Sequence, residues 1–232
     1  MDHITSHNWK AFALAGALVG LLAWPGTSEA QTVTGQAKAA QATVSALGLV
    51  GMTTTLSDTG TLSDTNDARD ASLLTATVPS VLTGEVLSAF TIGWPDQVYS
   101  SASLGGLAMT VAGTGISADF VGASALAVLD GSAVGSSDIG GLSINGIPIF
   151  LTGGPNQTID IIGGRMVVNE QQTSPDGTIT VNALHVTVDG VADVVISSAK
   201  AGITSSTGSA SSSTGSTSGG GGGILPPLPS LF

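Results

Sequence analysis

LSINGIPIFL, residues 142 to 151, is the stretch that decides the fold class. Asn145-Gly146 is a two-residue hairpin signal, because both central positions of that turn need positive φ. The turn sets Ile144 opposite Ile147 and Leu142 opposite Ile149, so four apolar side chains share one face. Pro148 then falls in a non-hydrogen-bonded pair with Ser143. Its missing N–H costs nothing inside the hairpin but would face a further strand, so this side of the sheet reads as an edge.

Working outward, the pattern from Gly35 to Ile203 is strand-like almost throughout. Val, Ile, Thr and Ala dominate, with Gly, Pro, Asp or Asn at short intervals, and no window sustains a capped helical period. SPDG, residues 174 to 177, is a turn joining RMVVNEQ to TITVNALHVTV. In that second strand Ile179, Val181 and Ala183 share one phase, and Leu184, Val186 and Val188 the other. A switch at Ala183-Leu184 implies a bulge or a strand buried on both faces. A three-residue loop around Asp189-Gly190 pairs Val186 with Val194 and Leu184 with Ile196. Alanine and serine recur in VLSAFTI, VYSSASL, FVGASALAV and VISSAKAGI, where small side chains admit a second layer. Their uneven spacing does not fit a solenoid. The expected fold is all-β: an antiparallel two-layer β-sandwich with hairpin connections over residues 31–203.

The two ends of the chain read differently. Lys10, the apolar run AFALAGALVGLLAW and the small-residue exit Ser28-Glu29-Ala30 form a secretory signal peptide over residues 1–30, with cleavage expected between Ala30 and Gln31. The run is shorter than the roughly 20 apolar residues of a membrane span, so no span is expected in the mature chain. Residues 204–223, TSSTGSASSSTGSTSGGGGG, have the composition of a flexible linker. Residues 224–232, ILPPLPSLF, are a proline-rich apolar end.

Removing Asp2, Lys10 and Glu29 leaves fourteen acidic and four basic residues, a net charge of −10. Such a chain repels phosphate backbones, so nucleic acid is not expected as a partner. The chain has no cysteine, so an exported form would hold its fold by burial without disulfides.

Several motifs carry possible chemistry. Asp58-Thr59-Gly60 is the tripeptide of pepsin-like aspartic proteases, which hold two carboxylates against one water. Ser57 precedes Asp58 where apolar residues are usual. LSDTGT is followed at once by LSDTND, so Asp58 and Asp64 are too close to supply two symmetric loops. Asp58, Asp64, Asp67 and Asp70 offer hard oxygen ligands for calcium, but at spacings that fit no calcium loop and with Arg69 among them. A solvated loop is the plainer reading of the segment. His185 is the one histidine left after cleavage, and a strand histidine beside Asn182 and Thr187 reads as simply hydrogen-bonded. Glu85, Asp96, Asp119 and Glu170 are candidates for a glycosidase-like carboxylate pair, though no spacing selects two of them. GWPDQVY, with Trp94 and Tyr99, reads as a turn anchored by a buried tryptophan, or else as a small ligand platform. No catalytic, cofactor or metal residues are therefore assigned.

A set of phrases resembles one family: ARDAS (68–72), GEVL (84–87), TIG (91–93), ISADF (116–120), NEQ (169–171) and VNALHV (181–186). Together they are similar to the bacterial secreted proteins called choice-of-anchor P, over about residues 35 to 203. The resemblance implies an extracellular domain followed by a surface-sorting tail. ILPPLPSLF departs from that pattern, having no sortase motif and no hydrophobic helix with a basic stop. The resemblance brings no catalytic residues. The expectation is an exported, non-enzymatic surface or matrix protein that acts by display and binding of a surface or matrix component. A secreted carboxylate-dependent hydrolase and a calcium-stabilised adhesion module are the rivals.

Overall fold

The computed structural model describes residues 30–45 and 51–206. The proposed signal peptide, most of the linker and the proline-rich end lie outside them. Among the described residues there is no helix, and so none long and apolar enough to cross a membrane. Thirteen strands form two antiparallel sheets packed face to face.

The first sheet contains β1 (Ala30–Val44), β2 (Met52–Asp58), β10 (Gln157–Ile161), β11 (Gly164–Thr173), β12 (Ile179–Val188) and β13 (Ala192–Ser206), in the order β10-β11-β12-β13-β1-β2. The second contains β3 (Ala68–Val78), β4 (Leu82–Gly93), β5 (Gln97–Val111), β6 (Thr114–Val128), β7 (Val134–Gly140), β8 (Ser143–Ile144) and β9 (Ile147–Pro148). Its order is β3-β4-β5-β6-β8-β9, with β7 also on β6. From Ala30 the described chain runs in the first sheet, crosses to the second after β2, and returns before β10.

The expected hairpin is present. Ile144 pairs with Ile147 and Ser143 with Pro148, Asn145 and Gly146 have φ of 50° and 77°, and the Ile149 N–H donates to the Leu142 carbonyl. Pro148 sits in the edge strand β9, where no neighbour needs its N–H. At SPDG the Gly177 N–H donates to the Ser174 carbonyl, closing the turn between β11 and β12. Leu184 faces Ile196 and Val186 faces Val194 across the Asp189–Val191 loop, as the apolar match requires.

The phase switch in β12 proves to be one point of a crease that crosses the whole sheet. The ladders skip Ala39 and Ser57 between β1 and β2, Ala39 and Ser197 between β1 and β13, Ala183 and Ser197 between β12 and β13, and Asn169 and Ala183 between β11 and β12. Ser57, Asn169 and Ser197 have positive φ there, and the other residues resume pairing in unchanged register. Each strand reverses its side-chain phase at the same level, so both halves of every strand keep apolar residues on one core. In β12 this buries Ile179, Val181 and Ala183 below the crease and Leu184, Val186 and Val188 above it. The second sheet is creased likewise at Val86, Gly106 and Gly141, all with positive φ. Gly141 interrupts what would otherwise be one strand, because β7 and β8 pair with β6 in one register. The creases meet in the core, where the buried Ser197 hydroxyl donates to the Val121 carbonyl at 2.8 Å.

In the half below the crease Ala37, Ala89 and Ala102 form a small-residue cluster of their own, beside larger buried side chains such as Val98, Ile179 and Val181. Leu82, Leu107, Met109, Ile116 and Met166 are buried in the other half. Burial of each such large side chain contributes roughly 1.5–3 kcal/mol.

Three expectations are corrected. The segment around Asp58 is not a simple loop, because Met52–Asp58 is a strand on β1, with Thr53, Thr54 and Thr55 supplying β-branched residues. The solvated-loop reading fails also for Arg69 and Asp70, which stand in β3 from Ala68 onward. β13 runs into the linker composition as far as Ser206, because Thr204, Ser205 and Ser206 pair through backbone with Thr32, Gln31 and Ala30.

Candidate functional site

The sandwich has two chemically different ends. Ala30 and Ser206 pair at one end, beside the turns at Trp94–Asp96 and Ser174–Gly177. Gln31 Nε2 donates to the Pro95 carbonyl there. The turns at Ala112-Gly113, Asn145-Gly146, Ile162-Gly163 and Asp189-Gly190 lie at the other end, reached by fifteen-residue strands. At about 3.3 Å per residue the two ends are roughly 45 Å apart.

The distal end carries two concavities. The larger, about 530 Å³, is bordered by Thr77, Ser80, Thr83, Thr110, Ser117 and Asn145, over a largely apolar floor that includes Val81, Leu82, Ala108 and Met109. The smaller, about 340 Å³, is lined by Thr114, Ile144, Asp160, Ile161 and Ile162, again with Asn145. Asn145 therefore belongs to both. Its own N–H donates to the Gly115 carbonyl at 2.7 Å, and its Oδ1 accepts from the Gly115 N–H at 2.8 Å. This double bond to β6 fixes the hairpin tip and leaves the side-chain NH₂ as an available donor pair. The hairpin signal was legible in the sequence, but the role of its tip as the wall between two concavities was not.

The outer face of the first sheet brings together Glu170, Asn182, His185 and Thr187. Glu170 Oε2 accepts from Asn182 Nδ2 at 2.6 Å and stands 2.8 Å from His185 Nδ1. His185 Nε2 lies 3.4 Å from Asp193 and 3.5 Å from the Thr187 hydroxyl. Burial acts to raise the Glu170 pKa. Hydrogen bonds from Asn182, His185 and Gln172, with the charge of His185, outweigh it and hold the carboxyl below its usual value. Glu170 and His185 are fifteen residues apart in sequence, and the β11–β12 register brings them together by placing Glu170 opposite Asn182. The arrangement ties three strands by polar contacts on an open face. A shallow polar depression of about 300 Å³ adjoins it, flanked by Lys38 and Lys200.

The other candidates are dispersed. Asp58 ends β2, where its Oδ1 accepts from Gln36 Nε2 and from the Gly60 N–H, both at 2.9 Å. Asp64 caps its own turn by accepting from the Asn66 N–H. Asp67 accepts from the Ser63 N–H and hydroxyl and from Arg69 Nε at 2.8 Å. The Ser63 backbone bond and Arg69 lower its pKa to about 2. Asp70 pairs with Phe90 along β3. Among the described residues no three His, Cys, Asp or Glu side chains gather as a set that could hold a metal ion.

Of the four carboxylates considered for glycosidase chemistry, Glu170 is in the first sheet. Glu85 and Asp119 flank the crease of the second, and Asp96 lies in the β4–β5 turn. Trp94 is 38% exposed, contrary to the buried anchor expected of it. The turn is closed instead by the Trp94 N–H donating to the Gln97 carbonyl, which needs no buried ring. Tyr99 packs its ring against Phe90 at 5.7 Å.

No family model, curated protein or solved structure matches this chain.

Proposed function

We propose that this chain is an exported, non-enzymatic display module, which holds a binding end away from the surface or matrix that carries it. The observation behind this reading is the separation of its ends. Ala30 and Ser206 pair at one end, whereas a concavity of about 530 Å³ lies at the far end, bordered by hydroxyl-bearing residues and Asn145 over an apolar floor. The sequence beyond Ser206 has linker composition, suited to tethering such a rod. The N-terminal signal supplies the route of export.

The resemblance to choice-of-anchor P proteins supports the same reading. Of the six similar phrases, GEVL, ISADF, NEQ and VNALHV each include a crease position. A carboxylate-dependent hydrolase would need two acids around one substrate site, and the larger concavity is lined by uncharged side chains.

Fractionation of producing cells, followed by photo-crosslinking of intact envelopes, tests the reading. A photoreactive residue at Asp189, in a distal turn, should capture an envelope component. The same residue at Asp130, near the Ser206 end, should capture far less. Protein found only in the cytoplasm, or equal capture from both positions, would refute it.

A further inference from the structure

Resting on the display reading, we propose that the two distal concavities form one site for a neutral oligosaccharide, laid across the Asn145-Gly146 tip. They share Asn145, so a ligand long enough to fill both must pass over that residue. Their volumes of about 530 and 340 Å³ fall in the range of small-molecule sites. Gly146 opens the passage, because a Cβ placed there would have nothing within 4 Å.

The lining selects the ligand class by elimination. Thr77, Ser80, Thr110 and the Asn145 amide border the larger lobe above an apolar floor that includes Val81 and Leu82, and a purely apolar ligand would desolvate those polar groups without giving them partners. An anionic ligand meets no lysine or arginine in either lining, on a chain of net charge −10. A cation meets one carboxylate, Asp160, which has Arg165 opposite it in the ladder. A sugar hydroxyl both donates and accepts, as Thr and Ser hydroxyls do. The Asn145 NH₂ adds two donors, and Asp160 adds an acceptor in the smaller lobe. Ile144, Ile161 and the 69%-exposed Ile162 supply an apolar wall for the C–H face of a ring. Thr114 also lines this lobe, and its buried hydroxyl has no partner among the described residues. That leaves a further hydrogen-bonding group unmatched at this end.

Isothermal titration of the mature protein with cellohexaose, maltohexaose and mannohexaose, and with a hexamer of galacturonate, tests the site. At least one neutral hexasaccharide should bind and the galacturonate hexamer should not, with the preferred neutral linkage separating wall-type from storage-type glycans. Asn145→Asp keeps the bond from Gly115 and the tolerance of positive φ but removes the NH₂ donors, and should weaken binding at least tenfold. Thr83→Val should weaken it about fivefold, and Asp138→Asn, away from the site, should leave it unchanged. Circular dichroism of each variant must match the parent, and a misfolded variant is replaced by Thr110→Val with the same fivefold expectation. No binding of any neutral hexasaccharide to folded protein, or an unchanged Kd in Asn145→Asp, overturns the proposal. Envelopes that capture the protein but are not competed by these sugars would also overturn it and leave the display reading intact. Failure of envelope capture itself would remove the display reading.

Discussion

Replacing Ser197 with alanine tests whether the two creases are held together as described. Ser197 is fully buried, has φ of 53°, and donates its hydroxyl to the Val121 carbonyl in the opposite sheet. Alanine removes that bond, worth about 0.5–1.5 kcal/mol net, and leaves part of a buried carbonyl's capacity unfilled. Alanine keeps the strained backbone, so no relief offsets the loss. The expected destabilisation is about 1.5 kcal/mol, or a fall in Tm of roughly 3–6 °C for a domain of this size. Ser197→Gly loses the same bond but relaxes the positive φ, a gain of about 1–2 kcal/mol reduced by glycine's greater unfolded freedom. It should therefore be the milder variant. Urea unfolding followed by tryptophan fluorescence measures both. A loss under about 0.3 kcal/mol for Ser197→Ala, or a glycine variant less stable than the alanine one, would refute the reasoning.

Three other perturbations have defined outcomes. Gly146→Val meets no neighbour, so its cost is that of the backbone alone; at φ of 77° about 1–2 kcal/mol of stability should be lost in urea unfolding. Asp67 has a folded pKa of about 2, below its unfolded value of 3.8. Its contribution is complete above the unfolded value and is lost as pH falls from about 4 towards 2. Asp67→Asn should flatten that acid limb in unfolding curves taken from pH 2 to 6, and an unchanged limb would contradict the assignment. Asp58→Asn keeps an acceptor for Gln36 and Gly60, so stability should move by under about 0.5 kcal/mol. Incubation with unfolded peptides from acid to neutral pH should give no cleavage that depends on Asp58, and cleavage abolished by the substitution would restore the protease reading.

What the sequence made legible was local. Asn145-Gly146, SPDG and the Asp189-Gly190 loop each mark a hairpin through residues that permit the required φ; the register followed from the turn at Asn145-Gly146 and from apolar matching at Asp189-Gly190. The phase break at Ala183-Leu184 was also visible, but not its extent. Nothing in one strand shows that Asn169, Ser197 and Ser57 break step at the same level, because that alignment exists only across the ladders. The strand Met52–Asp58 was hidden by its Thr, Ser and Asp content, since an edge strand facing solvent needs little apolar pattern. The Glu170–His185 contact likewise needed the β11–β12 register, which the SPDG turn could have supplied. Trp94 was misjudged because ring size argues for burial, whereas its place in a terminal turn exposes it. The distal site was least legible: its hydroxyls come from β3, the β3–β4 turn, β4, β5 and β6, and each alone is an ordinary exposed strand residue.

The central claim is that recognition occurs at the end opposite Ala30 and Ser206. Amide chemical-shift mapping of the isotope-labelled mature protein, titrated with polysaccharide released from its producing cells, tests it most directly. The account predicts shifts confined to residues 77–83, 108–117, 143–148 and 160–162. Shifts centred on residues 94–97, 129–131 and 174–177, around the end where the chain enters and leaves, would contradict it.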